Sequence, residues 1–163
     1  SFPDHKPRNY IYKGNKLFNH IMISDLKKII PTNIYDSYYK FCVEREPVQK
    51  CISDYFMLKN STYHNKDQLH LEWQDYLNNG VFPIDTKKYT DLDNKLSVDQ
   101  ILKYENLNEE MSALSKKLGF KLDKINARAK SGFRENLEVS FDQKKKIYNA
   151  FSSSNLFTGY SLS

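Results

Sequence analysis

Apolar positions along this 163-residue chain fall into two rhythms. Tyr38 to Val43 is a nearly continuous apolar run, the pattern of a buried parallel strand, and Val98 to Tyr104 reads as a second. After the first run, Val48, Cys51, Ile52, Tyr55 and Leu58 recur at i, i+3, i+4 and i+7. They predict one apolar face of a helix over about residues 47–58, with Pro47 suited to its first turn. Ser53 and Gln49 fall on the opposite face. Ser24 is placed to cap a helix carrying Leu26, Ile29 and Ile30 ahead of Pro31. Leu69, Trp73, Tyr76 and Leu77 predict a short amphipathic helix that Gly80 ends. Asn106 or Asn108 would cap a helix carrying Met111, Leu114 and Leu118, stopped at Gly119. Ser140 and Gln143 form a capping box for a helix with Ile147, Tyr148 and Phe151, ended by Ser152 to Ser154.

The remaining stretches are polar. Residues 1–16 read as an arm, with Tyr10-Ile11-Tyr12 as a short edge strand. Residues 59–67 read as a loop, and 82–95 as an irregular charged insertion facing a substrate. Strands alternating with helices predict an α/β architecture with parallel strands, as one domain over 1–163.

Composition supports a folded chain: 39% hydrophobic and 14% aromatic, with 12 Tyr and 10 Phe. The net charge of +5 fits an anionic partner, yet it is carried by 21 Lys against 4 Arg and is diffuse. Scarcity gives each arginine weight. Cys42 and Cys51 fit no zinc or redox spacing and read as buried reduced thiols. The four histidines lack metal-ligand spacing, so no metal is expected, and His5, His64 and His70 read as solvated. No stretch has the apolar length of a membrane span.

Chemistry concentrates in Phe41 to Tyr55. A strand, a turn carrying Arg45-Glu46-Pro47 and a helix carrying Ser53 suit an anion, most directly a phosphate. Arginine offers a fork of donors, and helix N-termini point N–H groups at a ligand. The plain alternative is a surface arginine paired with Glu44 or Glu46.

Phe41, Val43, Arg45, Pro47, Ser53 and Tyr55 together resemble the 3′-phosphate-binding motif of sulfotransferases that use 3′-phosphoadenosine 5′-phosphosulfate (PAPS), with Glu46 where Asn or Asp is usual. Three further segments agree in order. Asn19-His20 resembles the histidine segment of the carbohydrate branch. Lys103-Tyr104-Glu105-Asn106-Leu107 resembles its strand end before a helix closing in Leu-Gly, and Leu156-Phe157-Thr158-Gly159-Tyr160 its C-terminal Gly-Tyr. The resemblance covers about residue 20 to the end.

It implies a P-loop-NTPase-like sulfotransferase fold, a mainly parallel sheet flanked by helices, with the first strand and 5′-phosphosulfate loop missing. It implies transfer of a sulfuryl group from PAPS to a hydroxyl of a saccharide acceptor, with no nucleic acid as partner and no metal. His20 would be the general base, and Arg45 and Ser53 would hold the 3′-phosphate. Lys130, Gly132 and Arg134 would fold over the phosphate and adenine, the alternative being a flexible basic loop. Glu105 reads as a structural hydrogen-bonding residue, Lys144-Lys145-Lys146 as a solvated helix face, and Trp73 as core or as the wall of a sugar site. Residues 1–163 alone are expected to show little activity, in the cytoplasm of a bacterial or viral host cell or in the Golgi lumen of a eukaryote. Two rivals stand beside this reading: a basic, tyrosine-rich module that stacks single-stranded nucleic acid, and a degenerate, non-catalytic sulfotransferase-like domain.

Overall fold

The computed structural model describes residues 10–18, 20–60, 71–122 and 136–162. The chain is α/β, with eight α-helices and two small two-stranded sheets among the described residues. It divides into two compact units, one from 1–42 with 85–100 and the other from 43–84 with 101–163.

In the first unit, β1 (Tyr10–Tyr12) pairs antiparallel with β2 (Asn15–Leu17). Lys13 and Gly14 join them with φ values of 45° and 79°. Two successive left-handed residues match the twist of a tight hairpin, so Lys13-Gly14 is a β-turn. Helices α1 (Ile23–Ile29) and α2 (Thr32–Ser37) follow. The N-cap position of α1 is Met22, and Ser24 lies inside the helix and caps nothing. Pro31 both closes α1 and precedes α2, a helix the apolar pattern does not announce. The stretch expected to be irregular contains α5 (Thr86–Tyr89) and a bridge between Thr90 and Leu96. Helix α1 packs on α5. Tyr35 is buried here, its hydroxyl donating to the Ser97 carbonyl at 3.3 Å, with the Lys27 and Lys40 ammonium groups 5.7 and 5.0 Å from its ring centre.

Strand β3 (Phe41–Glu44) pairs in parallel with β4 (Gln100–Lys103), and the division between the units runs through both strands. Both are shorter than the apolar runs predict. Tyr38 and Tyr104 are exposed outside them. In β3 the outward positions Phe41 and Val43 are exposed while the buried position is Glu44. The Phe41 and Val43 side of β3 is uncovered and successive side chains of a strand point to opposite faces, so a continuous apolar run does not translate into continuous burial.

The second unit holds the largest apolar cluster. Helix α3 (Pro47–Asn60) buries Val48, Cys51, Ile52 and Tyr55 as the periodicity requires, plus Phe56. Against them lie Trp73, Tyr76 and Leu77 of α4 (Trp73–Asn79), Ile147 of α7 (Phe141–Ala150), and Phe151. Trp73 stacks on Tyr76 at 5.3 Å and meets Tyr55 edge-on at 5.3 Å. Gly80 and Gly119 end α4 and α6 (Leu107–Leu118) in the left-handed conformation, φ 65° and 72°, as expected of helix stops. The 3₁₀ turn Tyr104–Asn106 leads into α6, where Asn106 occupies the N-cap position without a side-chain bond. The capping box of α7 is present in full. The serine run does not end the helical region. It opens α8 (Ser152–Thr158) at a change of direction about Phe151.

Candidate functional site

The site is built where β3 ends. Glu44, the last residue of that strand, is buried and takes the Lys50 ammonium of α3 at 2.7 Å. The other Glu44 oxygen is buried without a hydrogen-bond partner among the described residues. Arg45 follows and is half-buried. It does not pair with Glu44 or Glu46 as the plain alternative expects. Its guanidinium carbon lies over the Tyr104 ring, 3.6 Å from the ring centre. A stacked guanidinium keeps its in-plane N–H edges available while losing rotational freedom, a favourable state for binding a phosphate side-on.

Glu46 takes over the role predicted for a ligand. Its Oε1 accepts from the Val48 N–H at 3.0 Å and its Oε2 from the Gln49 N–H at 2.7 Å. These donors belong to the first turn of α3. The expectation that they would reach a bound phosphate is therefore corrected: an internal carboxylate already satisfies them, because a negative group on the chain itself outcompetes a dilute one. For an exogenous anion, the turn offers the Arg45 guanidinium and, two helical turns on, the hydroxyl of Ser53. Ser53 is exposed on the face of α3 opposite the core, as the periodicity requires.

A second layer holds the first. Glu105, in the 3₁₀ turn after β4, accepts from the Glu46 N–H at 2.9 Å and from the Tyr160 hydroxyl. Tyr148 of α7 donates its hydroxyl to Glu46 Oε1 at 2.8 Å. Burial pushes the Glu105 carboxyl up, but the Tyr160 hydroxyl, the Glu46 N–H and the nearby Arg45 charge outweigh it and leave it below the ordinary carboxylate range. Burial and the carboxylates they bond push the Tyr148 and Tyr160 phenols up. Glu105 is thus a hydrogen-bonding hub, in line with its predicted structural role.

The other predicted residues fall elsewhere. His20 belongs to the first unit, exposed in a turn three residues before α1, with a left-handed φ of 65°. Lys130, Gly132 and Arg134 lie outside the described residues, as do Arg128, His5, His64 and His70. Lys144, Lys145 and Lys146 are exposed along α7. Trp73 is core: it is buried, and its indole N–H donates to Gln143 at 3.4 Å. The Tyr55 hydroxyl donates to the Leu71 carbonyl and that of Tyr76 to Asp54, so these two rings are spent in packing. Cys51 is buried with its thiol pushed up to about 12, chiefly by desolvation, Cys42 is half-buried, and no disulfide joins the two.

Tyr104, Tyr148 and Tyr160 are the functional residues that sequence reasoning left without a role. Tyr104 and Tyr160 sit inside quoted motifs, and their position just after a strand or a helix stop was the available signal. Tyr148 carried none, since its spacing marks it only as an apolar position.

No helix among the described residues is long and apolar enough to cross a membrane, and no group of histidine, cysteine and carboxylate side chains there is arranged to hold a metal. The chain matches no family model, no curated protein and no solved structure.

Proposed function

We propose that this chain binds the 3′-phosphate of PAPS as a sulfotransferase with a P-loop-NTPase-like α/β fold, acting on a hydroxyl of a carbohydrate. What supports the reading is one arrangement: an arginine at the carboxyl end of a parallel strand, stacked 3.6 Å from Tyr104, ahead of a helix that presents Ser53 on its exposed face. Carboxyl ends of parallel strands are where α/β folds take nucleotides. Arg45 supplies a bidentate fork to the phosphate and Ser53 one hydroxyl donor. Pro47 and the Glu46 carboxylate set the start of α3 two residues after Arg45.

When bound, PAPS would supply a sulfuryl group on a good phosphate leaving group. An acceptor hydroxyl would take that group as the sulfur–oxygen bond to the 5′-phosphate breaks, its proton passing to a general base. Catalysis of this kind rests mainly on positioning and charge stabilisation.

Calorimetric titration with adenosine 3′,5′-bisphosphate and adenosine 5′-monophosphate tests the assignment. The bisphosphate is expected to bind more tightly than the monophosphate. Arg45→Ala should cost about 30- to 100-fold and Ser53→Ala about 5-fold in bisphosphate affinity, the range for hydrogen bonds to a charged group. Equal affinity for the two nucleotides, or an unchanged affinity in Arg45→Ala, overturns it.

A further inference from the structure

Arg45 is gripped from both sides by one pair of side chains. The peptide that follows it contributes the Glu46 N–H, which donates to Glu105 Oε1 at 2.9 Å. The peptide that precedes it contributes the Glu44 carbonyl, which lies 3.5 Å from the Tyr160 hydroxyl. The single proton of that hydroxyl goes to Glu105 Oε2, which leaves the Glu44 carbonyl in contact and not bonded. A single hydroxyl–carboxylate pair therefore touches both peptide planes flanking the arginine.

Each member of the pair is itself held. Glu105 lies in the 3₁₀ turn that also carries Tyr104, the ring under the guanidinium. Tyr160 follows Gly159, whose left-handed φ of 70° ends α8, and the Lys103 ammonium lies 4.9 Å from the Tyr160 ring centre. Residues separated by more than a hundred positions in sequence thus meet at one backbone turn.

We propose that Tyr160 is a positioning residue: through Glu105 it clamps the backbone of Arg45 so that the guanidinium stays stacked on Tyr104 and ready for a nucleotide 3′-phosphate. The role in binding rests on the reading of Arg45 given above; the clamp itself does not. Neither Tyr160 nor Glu105 touches the ligand. Loss of the hydroxyl leaves Arg45 present but free to sample other backbone angles, so affinity falls through lost preorganisation.

The test uses Tyr160→Phe, which removes one oxygen and keeps the ring over Lys103. Bisphosphate affinity is expected to fall about 10-fold, the magnitude of one charge-assisted hydrogen bond. In an Arg45→Ala background the same substitution should cost nothing further, because there is no guanidinium left to position. Glu105→Gln, which keeps an acceptor for the Glu46 N–H, should retain more affinity than Glu105→Ala. Amide exchange at Glu46 reads the clamp without any ligand and should be faster in Tyr160→Phe than in the parent chain. An unchanged Glu46 exchange rate overturns the clamp. Normal bisphosphate affinity in Tyr160→Phe, or an equal loss with and without Arg45, overturns the positioning role. A parent chain that does not bind the bisphosphate, with Glu46 exchange still accelerated in the variant, overturns the nucleotide reading and leaves the clamp standing.

Discussion

Helices α3 and α7 begin in two different ways. At α7 both capping groups lie within four residues: Ser140 accepts from the Gln143 N–H at 3.3 Å, and Gln143 returns an acceptor to the Ser140 N–H at 3.1 Å, while its side chain also meets Trp73 and Gln74 of α4. At α3 the capping group, Glu46, is local, but what holds it is not. Tyr148 reaches it from 102 residues away, and Glu105 takes its backbone N–H from 59 away. A start closed by neutral, neighbouring groups stabilises a helix and, through the Gln143 amide, joins it to α4. One assembled from carboxylates and tyrosines of distant elements fixes a particular backbone geometry beside the only described arginine, and it makes that geometry sensitive to the rest of the fold.

The sharpest way to break this contrast is Glu46→Ala. It strips acceptors from the Val48 and Gln49 N–H groups and leaves the Tyr148 hydroxyl without its acceptor. A loss of about 2–3 kcal/mol in urea unfolding is expected, since orphaned polar groups cost more than the bonds themselves contribute. A loss under about 1 kcal/mol would put the two helix starts on the same footing.

Ser140→Ala should cost about 1 kcal/mol, the ordinary value of an N-cap, and leave bisphosphate affinity unchanged. Thermal unfolding alongside titration checks both halves. A drop in affinity would mean that the α7 start also governs the Arg45 turn.

The smallest effect is on pH. The folded Glu105 carboxyl lies below its ordinary 4.5, so its contribution is complete above that value and is lost as pH falls through the lower folded one. Tyr148 and Tyr160 are raised above 10.0, so their contributions are complete below that pH and decline as it rises further. These three groups therefore add no pH dependence of their own between about pH 5 and 10 and lower stability on either side. The α7 box, built from Ser and Gln, does not titrate. Amide exchange at Gln143, corrected for its intrinsic pH dependence, should stay level on acidification while that at Glu46 accelerates.

How much was legible follows the same division. The core face of α3, the exposure of Ser53, the glycine stops and the Ser140–Gln143 box were readable because each depends on residues three to eight apart. Strand lengths were misjudged because burial of a strand depends on what covers each face, and Phe41 and Val43 are exposed in a two-stranded pair. The α1 start was misplaced because a serine is a cap only when its backbone leaves the helix, and Ser24 lies inside it. The Arg45 turn was located correctly, but its donors were assigned to a ligand when Glu46 holds them.

By itself, the amino-acid order determined where α3, α4, α6 and α7 run, which face α3 buries and that an arginine stands at a strand-to-helix turn, since periodicity and capping act over a few residues. Only the tertiary structure decided what that arginine does at rest. It lies on Tyr104, between peptides held by Glu105 and Tyr160, because hydrogen bonds and ring stacking join groups by distance in space, which spacing along the chain does not encode.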